Sequence, residues 1–144
     1  MIKKKLNKKE NGMKLIGGQK LRNLGSTRHT EDLDYLVNDS DLDLFTHDEK
    51  ADYINAAKSD FFGKIWNKEI ENAEISLNSL LELKCYSFVQ HCQNFNFMKA
   101  DNDEFDIKFL VRKLGFTVNF KIVQKFITAG EFSEIASIIN NMKK

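Results

Sequence analysis

The sequence contains no proline, only two cysteines and no long apolar run. The scarcity of cysteines and the lack of a long apolar run each exclude a class of protein. Cys85 and Cys92 lie in one predicted helix, about 10 Å apart along its axis, which is too far for a disulfide. No apolar stretch approaches the ~18–20 residues of a membrane span, and the lysine-rich start lacks the apolar segment of a signal peptide. We therefore expect a soluble, cytoplasmic protein with reduced thiols and no contact with a membrane.

Charge is abundant, but the net value of +1 hides two opposite blocks. Residues 1–30 carry nine basic side chains against one acid, and residues 31–60 carry ten acids against two lysines. The first twelve residues form a basic lead without hydrophobic periodicity, which we expect to be flexible. Two interpretations of this lead stay open, a solvated tail and a tail that binds RNA phosphates.

Residues 13–144 are predicted to form a single α+β domain, with a small mixed sheet first and a helical half after it. A hydrophobic fraction of 42 % and twelve phenylalanines are enough to build a core. The predicted strands are 13–16, which runs into a Gly-Gly turn, then 32–37, 61–66 and 74–77. The predicted helices are 19–24, 46–59 with Thr46 as its N-cap, 77–95, 103–114 ended by Gly115, 119–129 and 132–142.

The segment from Gly17 to Asp34 carries the strongest chemical signal. Asp32 and Asp34 are separated by one residue, so on a strand both carboxylates would point to the same side. Two such charges repel each other unless a cation lies between them. The Gly17-Gly18 turn upstream offers backbone N–H groups and a close approach for phosphate. These parts could hold a Mg²⁺-triphosphate, although an Asp-x-Asp pair is also common on an exposed edge strand.

The run Ile16–Val37, IGGQKLRNLGSTRHTEDLDYLV, resembles the first motif of the nucleotidyltransferase superfamily. It is most similar to the minimal enzymes of the AbiEii-like toxin and abortive-infection group, in which a Gly-Gly turn precedes an Arg-x-Thr-x-Asp-hydrophobic-Asp run. The resemblance implies transfer of a nucleoside monophosphate from an NTP to a hydroxyl of RNA (such as tRNA), of a protein or of a small molecule. It also implies an antitoxin partner, Mg²⁺ or Mn²⁺ held by Asp32 and Asp34, and phosphate contacts from Gly17, Gly18, Ser26 and Arg28.

Three later residues extend the resemblance. The AbiEii-like group tends to have a lysine in a long helix and then an acidic helix of the form Asp-x-x-Asp. Lys84 and Asp103 match those places as catalytic residues, with Asp106 as an additional site residue. Lys84 lies in an apolar stripe, where its ammonium needs a carboxylate or phosphate partner unless the side chain extends to solvent. Asp103 would complete the metal shell or accept the acceptor's proton, or it is only an N-cap.

One departure from the superfamily pattern favours a second hypothesis. Many nucleotidyltransferases place a third carboxylate on a strand that follows the Asp pair, and the predicted strand 61–66 has none. A catalytically incomplete scaffold, which binds nucleotide, RNA or a partner protein without transfer, therefore stays open beside the enzyme.

Overall fold

Four short strands form one mixed sheet in the computed structural model, which describes residues 12–144. Across the sheet the order is β1-β2-β4-β3, with β1 antiparallel to β2, β2 parallel to β4, and β4 antiparallel to β3. The predicted basic lead lies outside the described residues except for Gly12. The strands are β1 Met13–Ile16, β2 Asp34–Val37, β3 Phe45–His47 and β4 Asp52–Asn55.

Helices account for most of the remaining described chain. They are α1 Gly17–Asn23, α2 Asp60–Glu69, α3 Leu77–Gln93, α4 Phe97–Lys113 and α5 Ala129–Met142. The predicted α+β class, with a small mixed sheet and a helical C-terminal half, is confirmed. Among residues 12–144, no helix combines the length and apolar character needed to cross a membrane.

The chain divides into two compact units, the first ending at Ser76 and the second formed by Leu77–Lys144. The sheet, α1 and α2 belong to the first unit, and α3 to α5 belong to the second. The expectation of a single domain over residues 13–144 stays a prediction.

Alternation along β2 and β4 sorts their side chains between the two faces of the sheet. Tyr35 and Tyr53 are in register and stack with ring centroids 6.0 Å apart, in an apolar cluster with Val37 and Ala51. Because neighbouring residues on a strand point to opposite faces, Asp34 is directed away from this cluster. The sheet therefore separates an aromatic face from the face that carries Asp34.

A β-hairpin replaces the helix predicted over 46–59. Thr46, the predicted N-cap, pairs instead with Tyr53 between β3 and β4. The carboxylate of Asp48 accepts the backbone N–H groups of Lys50 at 2.9 Å and Ala51 at 3.0 Å. Asp is favoured at turns because its side chain captures backbone donors in this way. The capping-box spacing of Thr46 and Glu49 was therefore misleading.

The strand predicted over 61–66 is part of helix α2. Ser59 caps this helix, its hydroxyl oxygen accepting the Phe62 N–H at 3.3 Å. The buried positions are Phe61, Phe62, Ile65, Trp66 and Glu69, whose three- and four-residue spacing is that of a helix. The predicted strand 74–77 is also wrong, because residues 70–76 form a loop that ends where α3 begins.

The start of α4 is earlier than predicted. The helix begins at Phe97, after Asn96, whose side chain accepts the Lys99 N–H at 3.3 Å. Asp103 consequently lies inside the helix and is not its N-cap. Helix α3 ends close to its predicted boundary, and Gly115 follows α4 with a φ of 61°, as its predicted role as a helix terminator requires.

The helix predicted over 119–129 is a loop with one short 3₁₀ turn, Val123–Lys125. Glu82 of α3 accepts the backbone N–H groups of Ile122 and Val123, each at 2.8 Å, and so competes with a helical hydrogen-bond pattern. Helix α5 starts three residues before its predicted start because Thr128 and Glu131 form a capping box.

Candidate functional site

Gly17 and Gly18 are the first two residues of α1, directly after β1, and lie against residues from the second half of the motif. Gly17 has a φ of 81°, in the left-handed region that favours glycine. A methyl group on Gly17 would overlap the carboxylate oxygen Oδ2 of Asp34. On Gly18 it would lie 2.7 Å from Cγ2 of Thr30 and 3.0 Å from Nη2 of Arg28. Glycine is therefore favoured at position 17 by its φ, and a side chain at position 18 would displace Thr30 or Arg28.

The loop between α1 and β2 sets the position of Arg28. Ser26 is buried after the end of α1, where its N–H donates to the Leu21 carbonyl at 2.9 Å. Its hydroxyl oxygen accepts the Arg28 N–H at 3.3 Å, and the Arg22 guanidinium donates to the Arg28 carbonyl at 3.3 Å. Ser26 thus braces the loop at the opposite end of α1 from Gly17, and its contact with phosphate stays a prediction.

Asp32 and Asp34 do not share one strand. β2 begins at Asp34, opposite Ile16, because β1 ends there and the chain turns at Gly17. Asp32 precedes the strand and is exposed, and its N–H donates to the Thr30 hydroxyl oxygen at 3.3 Å. The strand predicted over 32–37 therefore begins two residues later than expected, and the placement of both carboxylates on one side stays a prediction.

Asp52 is a second carboxylate beside Asp34 that sequence reasoning missed. It is the first residue of β4 and pairs in register with Asp34 on the parallel strand β2. Residues in register on adjacent strands point to the same face, and the strands lie about 4.8 Å apart. Asp52 was hidden by the helix predicted over 46–59. Its signal is the pair Tyr53-Ile54, two residue types that favour strands, after the turn that begins at Asp48.

These carboxylates fit the ligand preference of a magnesium ion. Mg²⁺ binds hard oxygen ligands and usually takes one or two carboxylates together with substrate phosphate oxygens, keeping several waters. Asp34 and Asp52 supply such a pair, with Asp32 two residues ahead of Asp34. Among residues 12–144, no group of three or more His, Cys, Asp and Glu side chains is arranged to hold an ion by itself.

In the second unit, Lys84 of α3 contacts both acids predicted from α4. Its Nζ lies 2.9 Å from Oδ2 of Asp106 and 3.7 Å from Oδ1 of Asp103. The exposed fractions of the three side chains are 15 % for Lys84, 6 % for Asp103 and 1 % for Asp106. Of the two alternatives left open for Lys84, a carboxylate or phosphate partner and extension to solvent, the structure shows the first, with carboxylates as the partners.

Two further side chains of α3 bind Asp103, and sequence reasoning assigned them no role. Ser87 donates its hydroxyl proton to Oδ2 of Asp103 at 2.9 Å, and His91 Nδ1 lies 2.7 Å from the same oxygen. Their spacing of three and seven residues from Lys84 places all three on one helix face, which is the signal that could have found them.

The predicted site residues therefore fall into two groups, each within one unit. Gly17, Gly18, Ser26, Arg28, Asp32 and Asp34 belong to the first unit, and Lys84, Asp103 and Asp106 belong to the second. Comparison of the chain with protein-family models, with curated proteins and with solved structures yields no match.

Proposed function

We propose that the protein is a metal-dependent nucleotidyltransferase that transfers a nucleoside monophosphate from an NTP to an acceptor hydroxyl. One observation carries the proposal: Gly17 and Gly18 leave no room for side chains because Asp34, Thr30 and Arg28 fill that space. The two halves of the motif, which lie more than ten residues apart in sequence, thus form one local structure. This arrangement supports the resemblance to the minimal AbiEii-like enzymes independently of the sequence spacing.

In this proposal the first unit supplies the phosphate and metal contacts. The turn at Gly17 and Gly18 lets phosphate approach the backbone, and the Arg28 guanidinium offsets phosphate charge through paired N–H donors. Asp34 and Asp52, with Asp32, would hold Mg²⁺ or Mn²⁺. When bound, such an ion neutralises developing charge as the acceptor oxygen replaces pyrophosphate at the α-phosphorus.

Metal-dependent incorporation of labelled nucleotide into an RNA pool or a protein acceptor tests the activity. Asp34→Asn and Asp52→Asn should abolish incorporation, whereas Asp43→Asn, which changes an exposed acid of the same acidic block, should leave it unchanged. Asp32→Asn should reduce it less than Asp52→Asn, because Asp32 lies outside the strand that carries Asp34. Incorporation by the Asp34→Asn variant at the wild-type rate would refute the proposed site.

A glycine pair provides a matched test of nucleotide binding. Gly18→Ala should lower the affinity for Mg²⁺-NTP in calorimetric titration, because its methyl group meets Thr30 and Arg28. Gly130→Ala adds the same methyl group on α5, where its nearest contact is 3.9 Å away, and should bind as the wild type does. Equal affinities for all three proteins would contradict a phosphate-binding role for the turn.

The non-catalytic scaffold is favoured by one specific observation. The ammonium of Lys84 is already neutralised by Asp106 and Asp103, as in a buried ion cluster that maintains helix packing. The catalytic roles predicted for Lys84 and Asp103 stay predictions. Metal-dependent nucleotide binding without incorporation into any acceptor would support the scaffold over the enzyme.

A further inference from the structure

The connection between α4 and α5 belongs to a stretch of chain with charge of only one sign. From Ile107 to Gly130 there are five basic residues and no acidic one. Lys108 is neutralised by Glu104, with its Nζ 3.1 Å from the carboxylate. The other four cations form no ion pair with any residue in the range 12–144. They are Arg112, Lys113, Lys121 and Lys125.

Aromatic contacts show that the basic loop, defined here as residues 112–128 (the last two residues of α4 and the connection to α5), follows α5 from its end to its beginning. Phe116 lies under the ammonium of Lys143, with Nζ 5.7 Å from the ring centroid. Phe120 packs edge-on against Phe132 in the first turn of α5, with centroids 5.5 Å apart. Since a helix rises 1.5 Å per residue, Phe132 and Lys143 are about 16 Å apart along the axis. The basic loop therefore forms a strip of roughly that length.

Helix α3 holds the basic loop in a defined conformation. The side-chain amide of Asn78 donates to the Asn119 carbonyl at 2.9 Å and accepts the Asn119 N–H at 3.0 Å. Glu82 holds the next turn through two backbone N–H groups, as described above. A loop that is ordered before binding loses little further conformational entropy when a ligand binds.

Phe116 presents an aromatic face at the surface of this strip. Its backbone is in the left-handed region, with a φ of 63°, which is uncommon for a bulky residue, and the residue is 39 % exposed. Of the two acids of α5, Glu131 has hydrogen-bond partners of its own. Glu131 accepts hydrogen bonds from Thr128 and Gln93, and with Glu134 it lines a cavity of about 190 Å³ against α3.

We propose that the basic loop binds a single-stranded nucleic acid. Four cations without anionic partners complement a phosphate backbone, and exposed aromatic rings stack on bases whose faces are free only in single strands. The length of the strip matches about five stacked nucleotides at 3.4 Å per phosphate. If the bound strand is the acceptor in nucleotide transfer, that role rests on the proposed function. The binding of a single strand by the basic loop does not.

Fluorescence anisotropy of the full chain with a labelled oligonucleotide of about 12 nucleotides tests the proposal. We expect single-stranded affinity to exceed duplex affinity, and log K to fall with log salt with a slope of about −3 for four phosphate contacts. Replacing lysines 113, 121 and 125 by Gln should reduce the slope by about 2. Phe116→Leu, which keeps an apolar side chain but removes the ring, should weaken binding at least about fivefold.

A matched variant controls for the loss of three charges. The triple change Lys50→Gln, Lys58→Gln and Lys64→Gln removes exposed lysines of the first unit and should leave the affinity unchanged. Parallel titrations with RNA and DNA of the same sequence identify the preferred strand, and binding of either supports the proposal. If the Asp34→Asn variant no longer incorporates nucleotide but still binds nucleic acid, binding at this surface is separate from the transfer activity.

Three results would overturn the proposal. The first is unchanged affinity in the basic-loop variant together with loss of binding when the lysines of residues 1–10 are replaced, which would assign binding to the basic lead. The second is equal affinity for duplex and single strand. The third is unchanged affinity in Phe116→Leu with full displacement by poly-glutamate, which would indicate a general anion-binding surface.

Discussion

Removing the ammonium of Lys84 should destabilise the protein strongly, because two buried carboxylates would lose their shared cation. At 2.9 Å from Asp106, the attraction is about 6 kcal/mol at an effective dielectric constant of about 20, and desolvation offsets most of it. The cost of removing one partner is different, because the remaining charge stays buried and uncompensated. We expect Lys84→Met to lower the free energy of unfolding by about 3–5 kcal/mol.

A double-mutant cycle distinguishes the pair itself from the loss of packing. Lys84→Met combined with Asp106→Leu replaces the pair by apolar side chains of similar size, which is often neutral or stabilising. We expect the free energy of unfolding of the double variant to lie within about 2 kcal/mol of the wild-type value. The coupling energy between the two substitutions is then well above about 0.5 kcal/mol, the deviation usually found for independent sites. Equilibrium urea unfolding, with the m-value checked for each variant, measures all four states.

The control for this cycle is Lys99→Met on the exposed surface of α4, which should change stability by less than about 0.5 kcal/mol. A loss below about 1 kcal/mol for Lys84→Met, similar to the control, would show that the ammonium is effectively solvated and would refute the buried-pair argument. If the double variant is stable but inactive in nucleotide transfer, then Lys84 and Asp106 are needed for more than folding.

Two further predictions follow from the environments of a tyrosine and of the two cysteines. Burial, and then the hydrogen bond to Asp48, raise the pKa of Tyr53 to about 12, above its ordinary value of 10. The stabilisation that comes from this raised pKa should be complete below pH 10 and be lost as the pH rises to about 12. In urea unfolding measured across this pH range, Tyr53→Phe should remove that loss. Burial, followed by the charge of Glu82, raises the pKa of the Cys85 thiol far above its ordinary value, so a thiol reagent should label Cys92 first and Cys85 only on unfolding. Equal labelling of a Cys92→Ser variant and of the wild type under native conditions would contradict this order.

The parts of the fold that could be predicted from the sequence are those that nearby residues determine. The apolar stripe of α3 continues for seventeen residues, and Gly115 terminates α4 through its own backbone conformation. The change of direction at Gly17 was also predicted, because glycine tolerates a positive φ, although α1 begins there and not at the predicted residue 19. In each case the signal lies within one helix or one turn.

The errors arose where two local signals competed and a residue distant in sequence decided between them. Thr46 and Glu49 have the spacing of a capping box, but Asp48 binds the turn amides and Tyr53 supplies a strand partner. A helix was predicted over residues 119–129, yet Glu82, some forty residues earlier, accepts the two backbone N–H groups that a helix would need. Neither interaction can be inferred from a local window of sequence.

The same limitation determined which carboxylates could be assigned to the metal. A helix over 46–59 would give Asp52 no fixed relation to Asp34, so the third carboxylate was sought on the segment 61–66, which is in fact part of α2. Once β4 pairs with β2, register alone places Asp52 beside Asp34, whereas Asp32 lies before the strand. The sequence motif therefore identifies the strand that carries the proposed site, and the pairing of that strand identifies Asp52 as the proposed second ligand.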